Sequence, residues 1–282
     1  MSFDSTDAVA TALAGFALAS FNDADAVERY DAAFGISALC ENLERDRLMR
    51  AVVAPSAGLL GPKAADLCRL HWLALSRKTV TVLEFGSGFS TAVFADALAL
   101  LQRFHGAWAR DNLRCTAPFH LHSVEEDETY MAISAARLSP ALAPRVTLHH
   151  SEVHLVEQGS RFATLYARLP NVNPSLIYLD GPSPAVAMGD IRGFSLAGPE
   201  RVPMAGDILA FEHFLGPGTI VLCDGRTANA RYLKTNLQRA WRYLHDRAGD
   251  VHLFELQEAP LGPDNARELG YRFGGTWLLP PA

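Results

Sequence analysis

The sequence predicts an α/β protein with a mostly parallel β-sheet and an antiparallel hairpin at its C-terminal end. Apolar, β-branched runs of strand length alternate with helical patterns along much of the 282-residue chain. Acidic residues follow several of these runs, at the point where each strand would end. Residues 79–94 join a predicted strand to a predicted helix through a glycine turn. These observations favour a ligand site at the carboxyl edge of the sheet.

The first 78 residues are predicted to form a helical N-terminal extension, and residues 79–282 the sheet domain. Apolar residues recur at helical spacing in three segments of this extension, residues 5–20, 41–54 and 62–75. The extension could cover a cleft, cover one sheet face or form a subunit contact. The sequence does not choose among these.

Strands and helices alternate in the predicted sheet domain. After the first strand and its helix, residues 102–118 are polar and predict an irregular insertion. Further strands are expected over residues 119–124, 145–150, 176–179 and 219–223. Helices are expected over residues 129–138, 207–215 (capped by Asp207) and 228–245. Residues 182–206, rich in Pro and Gly, predict a functional loop, and residues 251–256 and 271–279 predict the antiparallel hairpin.

Composition excludes several classes of protein. Hydrophobic residues make up 49% of the chain and charged residues 20%, as in ordinary globular proteins. The net charge of −6 disfavours nucleic acid as a partner. No secretory signal and no apolar run of the ~18–20 residues that a membrane span needs is found. The four cysteines are widely spaced and predict reduced thiols in a cytoplasmic protein: Cys40, Cys68, Cys115 and Cys223.

The glycine turn predicts contact between a ligand and the main chain. Gly86 and Gly88 allow close approach, and the amides that begin the next helix point into the same space. Glu125, the first acid after the second strand, could accept both hydroxyl hydrogens of a ribose. Thr91 stands where a dinucleotide fingerprint has its third glycine, and Glu125 lies far beyond the usual spacing of about 20 residues. Both points count against a nicotinamide cofactor.

At these residues the chain resembles the class I S-adenosylmethionine-dependent methyltransferases. The stretch from Glu84 to Thr91, EFGSGFST, is similar to their first motif, and Val124-Glu125-Glu126-Asp127 is similar to the V-E-x-D that ends the second strand of one subgroup. The resemblance extends through LDGP at 179–182 and CDGR at 223–226, and covers roughly residues 58–282. It implies a Rossmann-like, seven-stranded sheet with helices on both faces. It also implies methyl transfer from S-adenosylmethionine, with an oxygen of a small molecule as the expected acceptor.

The resemblance assigns roles residue by residue. The cofactor-binding residues that it implies are Glu84, Phe85, Gly86, Ser87, Gly88, Ser90, Thr91, Glu125, Ser151, Glu152 and Asp180. Asp180 and Asp224 are the implied catalytic residues. Catechol-type relatives hold a divalent cation between acids at these two positions with an Asn after the second, but Gly225 replaces that Asn here. A divalent cation is therefore left open, and the metal ligands stay unassigned.

Other readings remain open at this stage. His213 is a candidate general base, and Arg226 and Arg231 could bind an anionic acceptor or pair with nearby acids. His120 and His122 lie on one face of a strand without a recognisable ligand set. The alternative functions are a nicotinamide-dependent oxidoreductase and a non-catalytic binding module of the same fold. A homo-oligomer is also left open.

Overall fold

The structure, a computed structural model, describes residues 3–40, 63–183, 188–198, 200–202, 204–274 and 276–280. The helix predicted over residues 41–54 lies outside the described residues. The described helices are α1 Thr6–Leu13, α2 Ala24–Phe34, α3 Ala64–Ser76, α4 Phe89–Asn112, α5 Glu128–Arg137, α6 Asp207–Phe211, α7 Thr227–Asn236 and α8 Pro263–Phe273. The strands are β1 Thr81–Phe85, β2 His120–Glu125, β3 Val146–His150, β4 Val153–Gln158, β5 Arg161–Tyr166, β6 Leu176–Leu179, β7 Ile220–Asp224, β8 Trp241–Asp246 and β9 Val251–Leu256.

Seven of these strands form one sheet in the order β3-β2-β1-β6-β7-β9-β8. All pairs from β3 to β7 are parallel, and β9 runs antiparallel to both of its neighbours. The predicted α/β fold, with a mostly parallel seven-stranded sheet and an antiparallel hairpin, is confirmed. From β1 the chain runs outward through β2 to β3, and it then crosses back to β6 on the other side of β1. That arrangement creates a crevice at the carboxyl end of β1.

Hydrophobic cores cover both faces of the sheet. One core joins side chains from the N-terminal helices and α4, such as Tyr30, Leu73 and Phe94, to Val82 of β1. The other joins Phe85 of β1 to residues of β5, α6 and α7. The described residues before position 79 therefore share a core with the sheet, while the domain boundary at residue 78 stays a prediction. Among the described helices, none has both the length and the apolar composition needed to cross a bilayer.

The middle of the chain differs from the sequence-based expectation in two places. The irregular insertion expected over residues 102–118 is largely helix, because α4 runs unbroken to Asn112. Its buried residues Leu98, Leu101 and Ala109 recur at helical spacing among the polar ones. The antiparallel hairpin β4–β5 was not predicted at all. Its turn residues Gly159 and Ser160 both have positive φ, as a two-residue hairpin turn requires.

The C-terminal hairpin exists, but the wrong segments were assigned to it. The helix expected over residues 228–245 ends with α7 at Asn236, and β8 follows it. Trp241 and Tyr243 alternate along β8 toward the core, which is a strand period rather than a helix period. The strand expected over residues 271–279 is also wrong, since that region includes the end of α8. Pro263 in its first turn is an ordinary helix-start signal.

Smaller differences affect other predicted helices. The helix expected over residues 5–20 ends at Leu13, and a short 3₁₀ turn follows at Leu18–Asn22. The helix α2 was not predicted. Asp207 begins α6 but does not cap it, because its carboxylate accepts a hydrogen bond from the Tyr166 amide at 3.0 Å.

Candidate functional site

The parallel strands bring four acids to one edge of the sheet. Glu84 lies near the end of β1, Glu125 ends β2, Asp180 follows β6 and Asp224 ends β7. Since β2, β1, β6 and β7 are neighbours in this order, the four positions lie side by side around the crevice at β1. The carboxyl edge of the sheet is therefore the candidate functional site.

The glycine turn after β1 packs against the loop after β6. Gly86 has a φ of +89°, and a Cβ there would lie 3.0 Å from the Gly181 nitrogen. A Cβ on Gly181 would lie 2.7 Å from the Gly86 nitrogen. The amide of Asp180 also donates to the Phe85 carbonyl at 3.0 Å. Gly88 differs, because a Cβ there would meet nothing within 4 Å. Open space thus lies in front of the turn at Gly88.

The carboxylate of Glu125 is bound to the glycine turn. Its Oε2 accepts hydrogen bonds from the Ser87 amide at 2.7 Å and from the Ser87 hydroxyl at 2.8 Å. Its Oε1 accepts from the amides of Glu126 and Asp127, both at 3.1 Å. Burial, and then the neighbouring charge of Glu126, raises the pKa of Glu125. The carboxylate is therefore held in one place beside the turn.

Glu84 lies beneath the turn and is fully buried. Its two oxygens accept hydrogen bonds from the hydroxyls of Ser90 at 2.5 Å and Thr91 at 2.6 Å. Burial raises the pKa of Glu84 to about 7, although the Ser90 and Thr91 hydrogen bonds act in the opposite direction. Thr91 also accepts a hydrogen bond from the Gly88 amide at 3.0 Å. One donor at the start of α4 is therefore already satisfied within the protein.

Three further residues implied as cofactor-binding have other surroundings. Phe85 is buried and its ring stacks on Tyr166, so it faces the core. The Ser151 hydroxyl is buried and accepts from the Arg168 amide at 2.8 Å. Glu152 is exposed, and its carboxylate lies 3.6 Å from Nε2 of His154. Ser151 and Glu152 follow β3 at the same sheet edge as Glu125.

Glu126 and Tyr166 join this edge although sequence reasoning did not select them. The Glu126 carboxylate accepts from the Tyr166 hydroxyl at 2.9 Å and from the Ser183 amide at 2.6 Å. It therefore links the end of β2 to the loop after β6. The motif at residues 124–127 assigned a role to Glu125 and none to its neighbour Glu126. Tyr166 was missed because it ends the hairpin that was not predicted. The Gly-Ser pair of that hairpin turn was the one available signal.

Asp180 and Asp224 have unequal environments. The side chain of Asp180 is 57% exposed. The surrounding protein desolvates its carboxyl and raises its pKa to about 7, Arg226 acts in the opposite direction, and solvent screens part of the effect. The Asp224 carboxylate accepts from the Tyr178 hydroxyl at 3.1 Å. Burial raises the pKa of Asp224 as well.

Arg226 was a candidate for binding an anionic acceptor, but its guanidinium is engaged in contacts within the chain. Its guanidinium donates to the carbonyls of Asp180 and Pro182, the latter at 2.9 Å. It thereby ties the loop after β6 to the loop after β7. Arg231, the other candidate for an anionic acceptor, is exposed on α7. His213 is exposed in the 3₁₀ turn Glu212–Phe214.

Charged residues at the start of α3 affect Asp224. After the larger effect of burial, the charge of Asp66 raises the pKa of Asp224, while Arg69 and Lys63 lower it. The Arg69 guanidinium also donates to Asp66 at 2.7 Å.

Among the described residues, no third His, Cys, Asp or Glu side chain groups with Asp180 and Asp224. Within the part of the chain that the structure describes, three metal-type side chains with all ligand atoms within 4.8 Å of one another are found at His245, Asp250 and His252. His122 does contact another histidine, since its Nδ1 lies 3.1 Å from Nε2 of His149.

Similar folds are found among solved structures. One is the O-methyltransferase TomG from Streptomyces achromogenes, which is involved in tomaymycin synthesis and was solved with SAM. Its sequence is 16% identical to this chain, and the TM-score is 0.43. The match covers 77% of this chain and 90% of TomG. The SAH-bound methyltransferase PaMTH1 from Podospora anserina is 15% identical with a TM-score of 0.47, over 78% of this chain and 88% of PaMTH1. No family model and no curated protein matches the chain. At such low identity we infer the function from the site residues.

Proposed function

We propose that this protein is an S-adenosylmethionine-dependent methyltransferase that methylates an oxygen of a small molecule. The observation that carries the proposal is the contact of the Ser87 amide with Glu125 at 2.7 Å. It holds a carboxylate at the end of β2, beside an open glycine turn and at the point where the strand order reverses. A carboxylate in this position can accept both hydroxyl hydrogens of a ribose.

The charge of the site favours a cationic cofactor over a dinucleotide. S-adenosylmethionine carries a sulfonium and an ammonium group, whereas a nicotinamide dinucleotide carries a pyrophosphate. The carboxylate of Glu125 lies against the glycine turn, where a pyrophosphate would bind, and like charges repel each other. Thr91 also accepts the Gly88 amide that a pyrophosphate would need.

The cofactor would supply an activated methyl group on sulfur, and the chain supplies binding and alignment. Glu125 would hold the ribose, Gly86 and Gly88 would admit the methionine portion to the backbone, and Ser151 and Glu152 would lie near the adenine. Glu84 would orient the turn through its hydrogen bonds to Ser90 and Thr91.

Asp180 and Asp224 would act on the acceptor side. A carboxylate with a pKa of about 7, as at Asp180, suits removal of a proton from an acceptor hydroxyl. Asp224, hydrogen-bonded to Tyr178, would position that hydroxyl. The four cysteines are unpaired, which fits a protein that works in the cytoplasm.

Calorimetric titration with S-adenosylhomocysteine and, separately, with NADH tests the cofactor. We expect one molecule of S-adenosylhomocysteine to bind per chain at micromolar concentration, and no binding of NADH. The opposite result would replace the proposal with the oxidoreductase alternative.

A panel of phenols, catechols and hydroxy acids, assayed for S-adenosylhomocysteine release, tests the reaction. Asp180→Asn should reduce turnover while the affinity for S-adenosylhomocysteine is largely kept. Cofactor binding with no turnover on any acceptor would support the non-catalytic binding module instead. Repeating the assay with Mg²⁺, Mn²⁺ or Ca²⁺ tests the divalent cation at Asp180 and Asp224, and no response would reject it.

A further inference from the structure

The hairpin β8–β9 places two histidines opposite each other. His245 and His252 are register partners, so their side chains leave the sheet on the same face. Their rings stack with centroids 4.0 Å apart. His252 is fully buried and His245 is half-buried. Strand pairing thus brings two imidazoles together, one register position from the hairpin turn.

Asp250 completes the group from the hairpin turn. Its backbone has a φ of +50°. One ligand atom from each of His245, Asp250 and His252 lies within 4.8 Å of the others. Asp250 also contacts the loop after β7, because its carbonyl accepts from the Gly225 amide at 2.9 Å. The group therefore lies next to Asp224 but includes neither Asp180 nor Asp224.

We propose that His245, Asp250 and His252 bind a Zn²⁺ ion. Two imidazoles and one carboxylate are a ligand set that suits zinc and related transition metals, and they disfavour Mg²⁺ and Ca²⁺, which take oxygen ligands. Three protein ligands leave a fourth, tetrahedral position for water. The proposal does not depend on the methyltransferase function.

A bound zinc requires ligand atoms about 2.0–2.2 Å from the ion, so the three side chains must draw closer together. His245 can turn, because its imidazole makes no hydrogen bond to any residue in the described ranges, and Asp250 is exposed. The stacked rings must also tilt so that their nitrogens converge on one point. These are side-chain rotations that leave the strand pairing intact.

Hydroxyl groups around His252 provide the outer contacts that metal-binding histidines use. Its Nδ1 lies 2.9 Å from the Tyr243 hydroxyl, and its Nε2 lies 2.9 Å from the Thr227 hydroxyl. When one nitrogen binds the ion, the other can donate to its hydroxyl and hold the ring in place. Thr227 is the first residue of α7, so the ion would fasten the hairpin to the loop after β7.

Calorimetry and thermal unfolding of the tag-free, EDTA-treated protein with ZnCl₂ test the site. We expect one Zn²⁺ to bind per chain and to raise the unfolding temperature, with no such effect of MgCl₂. His245→Ala and Asp250→Asn should weaken zinc binding by more than the roughly 10–100-fold typical of losing an outer contact. Only the hydroxyl on the His252 nitrogen that does not bind the ion stays an outer contact, so one of Tyr243→Phe and Thr227→Val should weaken zinc binding by about 10–100-fold and the other by less. These variants avoid the buried His252, whose loss could prevent folding.

Control variants separate this site from other candidates. His149→Ala alters the contact with His122, His213→Ala removes an exposed histidine, and Asp224→Asn alters the neighbouring edge; all three should keep zinc binding. Absence of zinc binding in the wild-type protein would overturn the proposal. So would zinc binding that survives His245→Ala and Asp250→Asn but is lost in His149→Ala or Asp224→Asn.

Discussion

The Ser87 amide and the Ser87 hydroxyl both donate to the same oxygen of Glu125, at 2.7 and 2.8 Å. The amide is fixed by the turn, whereas the hydroxyl can rotate about a single bond. The hydroxyl also accepts from Ser134 at 3.0 Å, which gives it a second partner. A ribose hydroxyl could therefore take its place on Glu125 without any change in the backbone.

Glu125→Gln should weaken binding of S-adenosylhomocysteine by about 10–100-fold. An amide oxygen accepts hydrogen bonds less strongly than a carboxylate, and a hydrogen bond to a charged group contributes about 1.5–3 kcal/mol. Calorimetric titration measures the change, with circular dichroism to confirm that the variant is folded. Glu128→Gln is the matched control, since the Glu128 side chain is 77% exposed. Equal affinity in the two variants would remove Glu125 from the cofactor site.

Glu84 should make stability depend on pH. Its carboxyl pKa is raised from 4.5 to about 7 by burial. Between these values the folded protein holds a proton that the unfolded chain has released, so the free energy of unfolding falls as pH rises. In Glu84→Gln nothing titrates at this position. The stability of the wild type relative to Glu84→Gln should therefore fall by about 2–3 kcal/mol from pH 5 to pH 8.

Urea denaturation at the two pH values measures this difference. Glu128→Gln serves as the control variant. The difference in stability between the wild type and Glu128→Gln should change little between the two pH values, because the Glu128 side chain is exposed. A wild-type stability that is constant or rises relative to Glu84→Gln would show that the buried carboxyl is not protonated in the folded state.

Gly86 and Gly88 should respond differently to the same substitution. Gly86→Ala should destabilise the fold by about 1–2 kcal/mol, because Gly86 has a φ of +89° and a Cβ there would lie 3.0 Å from the Gly181 nitrogen. Gly88→Ala should cost less, since its backbone is extended and the added methyl meets no atom within 4 Å. That methyl would enter the open space in front of the turn and should weaken S-adenosylhomocysteine binding about tenfold or more.

Thermal unfolding and calorimetry on the two variants measure both effects. If Gly88→Ala binds S-adenosylhomocysteine as tightly as the wild type, the cofactor does not approach the backbone at this residue. If Gly86→Ala is as stable as the wild type, the close packing against Gly181 is not required.

Local patterns in the sequence determined the fold class and the ends of the central strands. A strand at the centre of a parallel sheet is a short apolar run, and the acid or glycine that ends it is its immediate neighbour in the chain. Strand β6, at Leu176–Leu179, was therefore predicted to the residue. The glycine turn and Glu125 were found for the same reason. The sheet-edge strand β8 was missed, because its alternating side chains within a charged segment also suit a helix.

Tertiary structure alone decided which side chains meet. The link between Glu126 and Tyr166 spans 40 residues, and Arg226 reaches the Asp180 carbonyl across 46. The pairing of His245 with His252 depends on the register of a hairpin that local patterns placed elsewhere. Contacts between distant residues depend on strand order, register and burial. Strand order, register and burial are set when many apolar side chains are buried together. No single stretch of sequence determines them.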